Sequence, residues 1–273
     1  MAGATVDRVY NYWLGGKQHL AADRQVGDAI RRRFPAVPLH VEAARKFHLR
    51  AARWCADEGI ARFIAAGVAT WMPGHPNVHD AAREADPGAE AVYVHRGLEA
   101  LARARALLAG PGVRLARAKA DCPGELLEAA PVAAMIADGK PACLMLAMTL
   151  HFAAPEEARR QVVSYARALP PGSALAVSVA LPDCSPEADE LLAMFTPAPV
   201  YRHTAEDVAR WLERKDTEGE DTEGEDAEDG GAGLLLVPPG VCDVRLVPGP
   251  SWAEGKLEAR APGYTVGALA LKP

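Results

Sequence analysis

Several residues that could take part in chemistry directly follow short apolar segments. His151 comes after the apolar run at 142–148, and His95 follows a shorter run at 91–94. The reference pKa of histidine lies close to neutral pH, so His151 could accept a proton from a substrate or contact it. Alternatively, His151 supports a loop through a hydrogen bond to the backbone. His95 could be a solvated residue at a strand end or a polar contact in a pocket.

The N-terminal segment holds a second group of candidate residues. Val6, Tyr10 and Trp13 follow helical spacing, which is typical of an aromatic packing stripe. Alternatively, the segment folds as an arm over a pocket, where Lys17 could hold an anionic group. The arm residues that would line this pocket are Tyr10, Tyr12, Gly15, Gly16 and Lys17.

The cysteine and histidine spacing does not predict a metal site. The five cysteines are scattered, and no two of them form a C-x-x-C motif. His75 and His79 flank Pro76 and Asn77, which are more typical of a helix start than of a metal-binding helix face. An odd number of cysteines argues against a disulfide framework and favours a reducing compartment. We therefore expect a cytoplasmic protein without a metal cofactor.

The hydropathy pattern argues against two further classes of protein. No stretch of the chain approaches the roughly 20 uninterrupted apolar residues of a membrane span. The N-terminus also lacks the basic and then apolar layout of a secretion signal. We therefore expect neither membrane insertion nor secretion.

The net charge of -6 comes from one acidic tract. Nine aspartates and glutamates and no basic residue lie between Asp216 and Asp229; without these nine, 30 basic residues face 27 acidic ones. So polar a segment buries too little apolar surface to offset its ordering entropy, which predicts a disordered insertion at about 215–232. A less favoured role for the tract is to engage a basic protein partner. The basic clusters lack interleaved aromatic residues, so nucleic-acid binding is not indicated.

Strands and helices alternate along most of the chain. This alternation predicts an α/β fold with a mostly parallel sheet covered by helices on both faces, and such sheets bind ligands beyond the carboxyl ends of their strands. We expect a helical N-terminal arm at 1–58 and a Rossmann-like domain at 59–273 that ends in an antiparallel hairpin. The predicted helices are 24–34, 40–57, 79–85, 98–108, 155–169 and 204–214, and the predicted strands are 61–67, 91–94, 113–115, 142–148, 174–179, 233–237 and 264–271.

Several motifs of the chain occur in the same order in a known family. The opening reads VYNYWLGGK at 9–17 and AADR at 21–24, and later motifs are LHF at 150–152, ALPPGS at 168–173 and the closing segment 264–273. On these motifs the chain resembles the actinobacterial S-adenosylmethionine-dependent methyltransferase family, formerly a domain of unknown function. The resemblance covers nearly the whole chain apart from the acidic tract. It implies the class I methyltransferase fold and a binding site for S-adenosylmethionine.

The cofactor motifs of this chain depart from the family pattern. The family carries D-x-G-x-G after the first strand, where this chain reads AAGVA and Ala65 replaces the acid. After the second strand the family has an Asp that accepts both ribose hydroxyls, where this chain has His95, whose neutral imidazole offers at most one acceptor. The family's third Asp, near the adenine amine, corresponds to Ala118 or Lys119, with Asp121 as a stand-in.

These departures lead to two hypotheses about function. Replacement of three acids at once, with the arm and later strands retained, favours an eroded cofactor site. The protein would then bind a small molecule or biosynthetic intermediate, with repurposed or lost catalysis. The alternative is an active S-adenosylmethionine-dependent O- or N-methyltransferase of a small metabolite that uses new cofactor contacts. The pocket candidates beyond the arm are Arg45, Gly67, His95, Asp121, Leu150 and Phe152, with His151 as the candidate catalytic base.

Overall fold

The computed structural model describes residues 3–67, 70–108, 110–181, 185–213, 231–245 and 264–273. The strands in these residues build a single sheet. They are β1 (Arg62–Gly67), β2 (Glu90–Val94), β3 (Val113–Ala116), β4 (Cys143–Ala147), β5 (Ala174–Leu181), β6 (Leu235–Leu236), β7 (Cys242–Asp243) and β8 (Tyr264–Leu271).

Helices precede the sheet and connect its strands. A short 3-10 turn at Leu150–Phe152 follows β4. The α-helices of the described residues are α1 (Val6–Trp13), α2 (Ala21–Arg33), α3 (Ala36–Asp57), α4 (Val78–Arg83), α5 (Leu98–Leu107), α6 (Pro123–Glu128), α7 (Ala130–Ile136), α8 (Pro155–Ala168), α9 (Pro186–Met194) and α10 (Ala205–Leu212).

The strand order is β3-β2-β1-β4-β5-β8-β6, and β7 also pairs with β8. Strands β1 to β5 are parallel to their neighbours within this group, whereas β8 is antiparallel to β5, β6 and β7. The predicted α/β class and the antiparallel end of the sheet are therefore confirmed. The chain order reverses between β1 and β4, where Gly67 pairs with Ala147. This reversal is the place where ligands bind in open sheets of this kind.

Both faces of the sheet are buried, because successive residues of each strand point to opposite sides. On β1, Phe63 and Ala65 join a core formed with α1 to α4, whereas Ile64 and Ala66 join a core formed with α6, α7, α8 and α10. This double burial explains why β4 is apolar at every position. The three N-terminal helices belong to the first of these cores, so they pack directly on the sheet.

Asp23 attaches the first helix to the second. Its side chain is fully buried, and its oxygens accept the backbone N–H groups of Thr5 (3.0 Å) and Leu20 (2.6 Å) as well as the Nε–H of Arg8 (2.7 Å). Burial opposes ionisation of this carboxyl group, but the three donors outweigh that effect and hold its pKa below the usual value. The sequence predicted a helix at 24–34, but α2 begins at Ala21 and Asp23 lies inside its first turn.

Three short helices were not expected from the sequence. Helices α6, α7 and α9 have six, seven and nine residues, each begins with a proline in its first turn, and none is long enough to show a clear apolar period. The predicted pairing of 233–237 with 264–271 is confirmed between β6 and β8. Most of the predicted insertion at 215–232, including every residue from 216 to 229, lies outside the described residues.

Candidate functional site

A cleft lies beyond the carboxyl ends of β1, β2 and β3 and is bordered by α1. Two adjoining parts, with volumes of about 280 and 230 Å³, share Asp7, Gly67, His95 and Arg96. We call these two parts together the strand-end cleft. Its other charged residues include Arg8, Glu99, Arg103, Lys119 and Asp121.

Gly67 forms the floor of the strand-end cleft at the point where the strand order reverses. Its φ of +114° is unfavourable for residues with a side chain, and a Cβ atom there would lie 2.3 Å from the carbonyl oxygen of Ala147. A glycine is therefore required for β1 to approach β4 this closely. The two residues that follow, Val68 and Ala69, complete the predicted glycine-motif segment and lie outside the described residues.

His95 enters the cleft at the end of β2, and both of its ring nitrogens have partners. The backbone N–H of Gly97 donates to Nδ1 at 2.9 Å, and Nε2 lies 3.4 Å from Oδ2 of Asp7. Because Nδ1 accepts a hydrogen bond, a neutral ring carries its proton on Nε2, facing the Asp7 carboxylate. The imidazole therefore has no lone pair left to accept a hydroxyl group from a ligand.

The other two positions of the expected acids also lack a carboxylate. Ala65 is completely buried beside a small cavity, and Ala118, which is 1% exposed, lines the strand-end cleft. Asp121, the predicted stand-in, does line the cleft together with Lys119. The strand ends thus present methyl groups and an imidazole, and the carboxylates reach the cleft from flanking segments.

A second cavity, which we call the apolar chamber, lies beyond the ends of β4 and β5. Its volume is about 80 Å³, and almost all of its exposed wall is apolar. Tyr10 of α1 and His151 of the 3-10 turn meet there, with Tyr10 Oη 3.3 Å from His151 Nε2. Further walls come from Trp13 of α1, Val41 of α3 and Leu181 of β5, together with Met148 directly after β4 and Phe195 directly after α9.

Both ring nitrogens of His151 are also engaged. The backbone N–H of Ala180 donates to Nδ1 at 3.3 Å, so the neutral ring carries its proton on Nε2 and donates it to Tyr10. Complete burial, with a smaller contribution from nearby His203, lowers the pKa of His151 to about 3. This geometry resembles the alternative in which His151 supports its surroundings by hydrogen bonding to the backbone. A neutral imidazole with both nitrogens occupied is poorly placed to accept a substrate proton.

Arg45 lies at a smaller cavity between the strand-end cleft and the apolar chamber, also bordered by Tyr10 and Met148. Its guanidinium group donates to the carbonyl oxygen of Pro76 at 2.5 Å and to Oδ1 of Asn77 at 3.1 Å. Burial lowers the pKa of this guanidinium group. Arg45 thus holds the loop before α4 next to the point where the two larger cavities approach each other.

Of the remaining predicted site residues, Phe152 lines a cavity, whereas the others lie on the surface of the N-terminal segment or in the core. The Tyr12 hydroxyl donates to Asp28 on α2 at 2.7 Å, outside both cavities. Gly15 and Lys17 are exposed in the segment after α1, and Gly16 packs against the side chain of Asn11. Leu150 is buried in the core on the opposite face of the sheet, and Phe152 lines the strand-end cleft.

Sequence reasoning missed Asp7, His40 and Phe195 as cavity residues. Asp7 precedes Tyr10 by three residues, so helical spacing places both side chains on the same side of α1. His40 and His48 are eight residues, or just over two turns, apart on α3, and both border cavities. Phe195 gives no comparable signal, because it follows a helix that the sequence did not predict.

A family model covers nearly the whole chain. A model of the family described as S-adenosyl methyltransferase matches residues 2–262. The chain belongs to this family. The resemblance drawn from the sequence motifs is thereby confirmed.

Two solved structures resemble this family member over almost their entire length. A proposed methyltransferase from Thermobifida fusca shares 26% identity and superposes with a TM-score of 0.80, covering 99% of this chain and 95% of that protein. A DUF574 family protein from Streptomyces avermitilis shares 28% identity with a TM-score of 0.76, covering 99% and 98% of the two chains. A methyltransferase from Anabaena variabilis, at 11% identity and TM-score 0.51, shares the fold over 86% of each chain. No curated protein matches the sequence.

The resemblance implies that S-adenosylmethionine binds at the carboxyl ends of β1 to β3, where residues of the strand-end cleft differ from the family's acids. The family's ribose acceptor is replaced by His95, whose only lone pair receives the N–H of Gly97. The acid of the glycine motif is replaced by Ala65, a buried methyl group. The cleft therefore lacks the carboxylate contacts that the resemblance implies for binding the nucleoside.

Two further observations bear on ligands and on location. Within the described parts of the chain, no cluster of three or more histidine, cysteine, aspartate or glutamate residues is arranged to hold a metal ion. The helices in the same parts are all too short or too polar to cross a membrane.

Proposed function

We propose that this family member binds a small molecule and has lost high-affinity S-adenosylmethionine binding, so that methyl transfer is repurposed or absent. The observation that carries this proposal is the pairing of His95 with Gly97 and Asp7, which leaves no free lone pair on the imidazole that takes the place of the family's ribose acid. Two hydrogen bonds to a carboxylate contribute about 1.5–3 kcal/mol each, so their loss weakens binding by roughly two to four powers of ten. The apolar chamber, in contrast, has an almost entirely apolar wall and a buried pair of polar groups.

Calorimetric titration with S-adenosylhomocysteine tests this proposal. We expect the wild-type protein to show no binding below about 100 µM, and His95→Asp to bind at least about tenfold more tightly because it restores a two-oxygen acceptor. The matched control is His95→Asn. Asparagine has the same size as aspartate but only one acceptor oxygen and no charge, so this variant should not gain affinity. Micromolar binding by the wild-type protein would overturn the proposal.

An active methyltransferase with new cofactor contacts is the second candidate, and Asp7 favours it. The Asp7 carboxylate lines both parts of the strand-end cleft and is about one-third exposed, so a ligand can reach it. In this case Asp7 would accept the ribose hydroxyls in place of the acid lost from β2. The wild-type protein would then bind S-adenosylhomocysteine, and Asp7→Asn would weaken that binding by about tenfold or more. Asp28→Asn makes the same chemical change on α2, at a residue that contacts Tyr12 and Arg31 outside the cleft, and provides the control.

A further inference from the structure

The walls of the apolar chamber favour a flat apolar ligand. The rings of Tyr10 and Trp13 lie 5.4 Å apart, and Phe195 lies 6.2 and 6.3 Å from them, so three aromatic side chains border the same space. Aromatic rings pack best against other flat apolar groups. Aliphatic residues of α3 and α9, including Val37, Val41, Leu191 and Leu192, form much of the remaining wall.

A hydrogen-bond donor faces this apolar space. The backbone N–H of Ala180 uses the lone pair of His151 Nδ1, and the proton on Nε2 then points to Tyr10 Oη. The Tyr10 oxygen therefore acts as an acceptor toward His151, and its own proton stays available for a different acceptor. Burial raises the pKa of Tyr10, so the hydroxyl keeps this proton at neutral pH.

His40 provides an independent sign that the chamber accepts a ligand. This residue lines the chamber, is only 7% exposed, and its Nδ1 atom has no hydrogen-bond partner in the described part of the chain. A buried polar atom without a partner is costly, and such atoms are rare unless a ligand or water satisfies them. His48, about two turns further along α3, likewise has an Nδ1 atom without a partner among the described residues.

We infer that the apolar chamber binds a small planar apolar molecule through an oxygen atom that accepts the hydroxyl proton of Tyr10. This inference deepens the proposed function and rests on it for the statement that the chain binds a small molecule. It names the ligand class as aromatic compounds with a carbonyl or similar oxygen. Water alone would satisfy Tyr10 and His40 without using the aromatic walls, and the experiment separates these two occupants.

Acetophenone and α-methylstyrene are suitable probes, because both are planar and the second compound has a CH2 group where the first has its carbonyl oxygen. Binding is measured by saturation-transfer NMR and titration on the full chain. We expect acetophenone to bind three- to tenfold more tightly than α-methylstyrene, since one neutral hydrogen bond separates them. Tyr10→Phe should abolish this preference while α-methylstyrene binding stays unchanged. Tyr12→Phe, which removes a hydroxyl of the same helix outside the chamber, should keep the preference.

Three results would overturn the inference. They are equal affinity of the wild-type protein for the two probes, an unchanged preference in Tyr10→Phe, and failure of both probes to bind, which would leave water as the occupant. The comparison of probes in the wild-type protein stands even if a variant does not fold. No nucleoside is used, so a failure here can be told apart from a failure of the S-adenosylhomocysteine titration.

Discussion

The strand-end cleft and the apolar chamber lie on either side of the point where the strand order reverses, yet they differ in how their polar groups are satisfied. In the cleft, His95 is paired with Asp7 and Gly97, so both of its ring nitrogens have partners within the protein. In the chamber, the hydrogen bonds run from Ala180 through His151 to Tyr10 and end with an unused hydroxyl proton. The imidazole of the cleft is therefore fully paired within the protein, whereas the Tyr10 hydroxyl of the chamber has a proton that a ligand could accept.

The two regions also differ in how they are built. The strand-end cleft is wide and lined by charged residues such as Arg96, which is exposed. The apolar chamber is small, and its polar groups are almost completely buried. Substitutions of the charged side chains in the cleft should therefore change ligand binding with little effect on stability, whereas those in the chamber should change both.

The largest effect should come from Gly67, where the two regions meet. Gly67→Ala places a Cβ atom 2.3 Å from a backbone oxygen at a φ of +114°, so we expect a loss of about 3 kcal/mol in the free energy of unfolding. Gly59→Ala is the control, because Gly59 also has a positive φ but has open space around it, and should lose only about 1 kcal/mol. Urea unfolding measures both variants. Equal losses would show that the close approach of β1 to β4 does not add to the destabilisation caused by Gly67→Ala.

Loss of Asp23 should loosen α1, which borders both regions, because this residue joins α1 to α2. Asp23→Ala removes the acceptor of two backbone N–H groups and of Arg8, and we expect a loss of about 2–3 kcal/mol. Hydrogen exchange in α1 should rise strongly, while exchange in β2 should change little. Asp28→Ala, which loses bonds to Tyr12 and Arg31 at the surface, is the control and should lose less than about 1 kcal/mol. Unchanged exchange in α1 would contradict the role given to Asp23.

The sequence could predict the strands beside both regions but not the side-chain pairs within them. The strands were predictable because burial on both faces makes runs such as 142–148 apolar throughout, and the family motifs located their ends. The pairing of Asp7 with His95 was not predictable, because it depends on how α1 docks against a strand far along the chain. The same is true of Tyr10 and His151, which are 141 residues apart. Local periodicity places a side chain on a helix face but does not tell which partner that face meets.

A further effect concerns the buried imidazole of the chamber and appears only as the pH is lowered. The pKa of His151 is lowered from 6.5 to about 3 in the folded protein, so below pH 6.5 the unfolded chain binds a proton that the folded chain does not. The stability that this residue contributes is complete above pH 6.5. It is lost as the pH falls toward 3, at up to about 1.4 kcal/mol per pH unit.

His151→Asn removes this titration and keeps an oxygen that can accept the N–H of Ala180. The free energy of unfolding of this variant should therefore fall less steeply than that of the wild-type protein between pH 6 and pH 4. Tyr10→Phe breaks the same hydrogen bond but keeps the imidazole, so its curve should run parallel to the wild-type curve. Urea unfolding at several pH values measures all three proteins. A parallel curve for His151→Asn would mean that water reaches the ring, and the chamber would then resemble the strand-end cleft instead of differing from it.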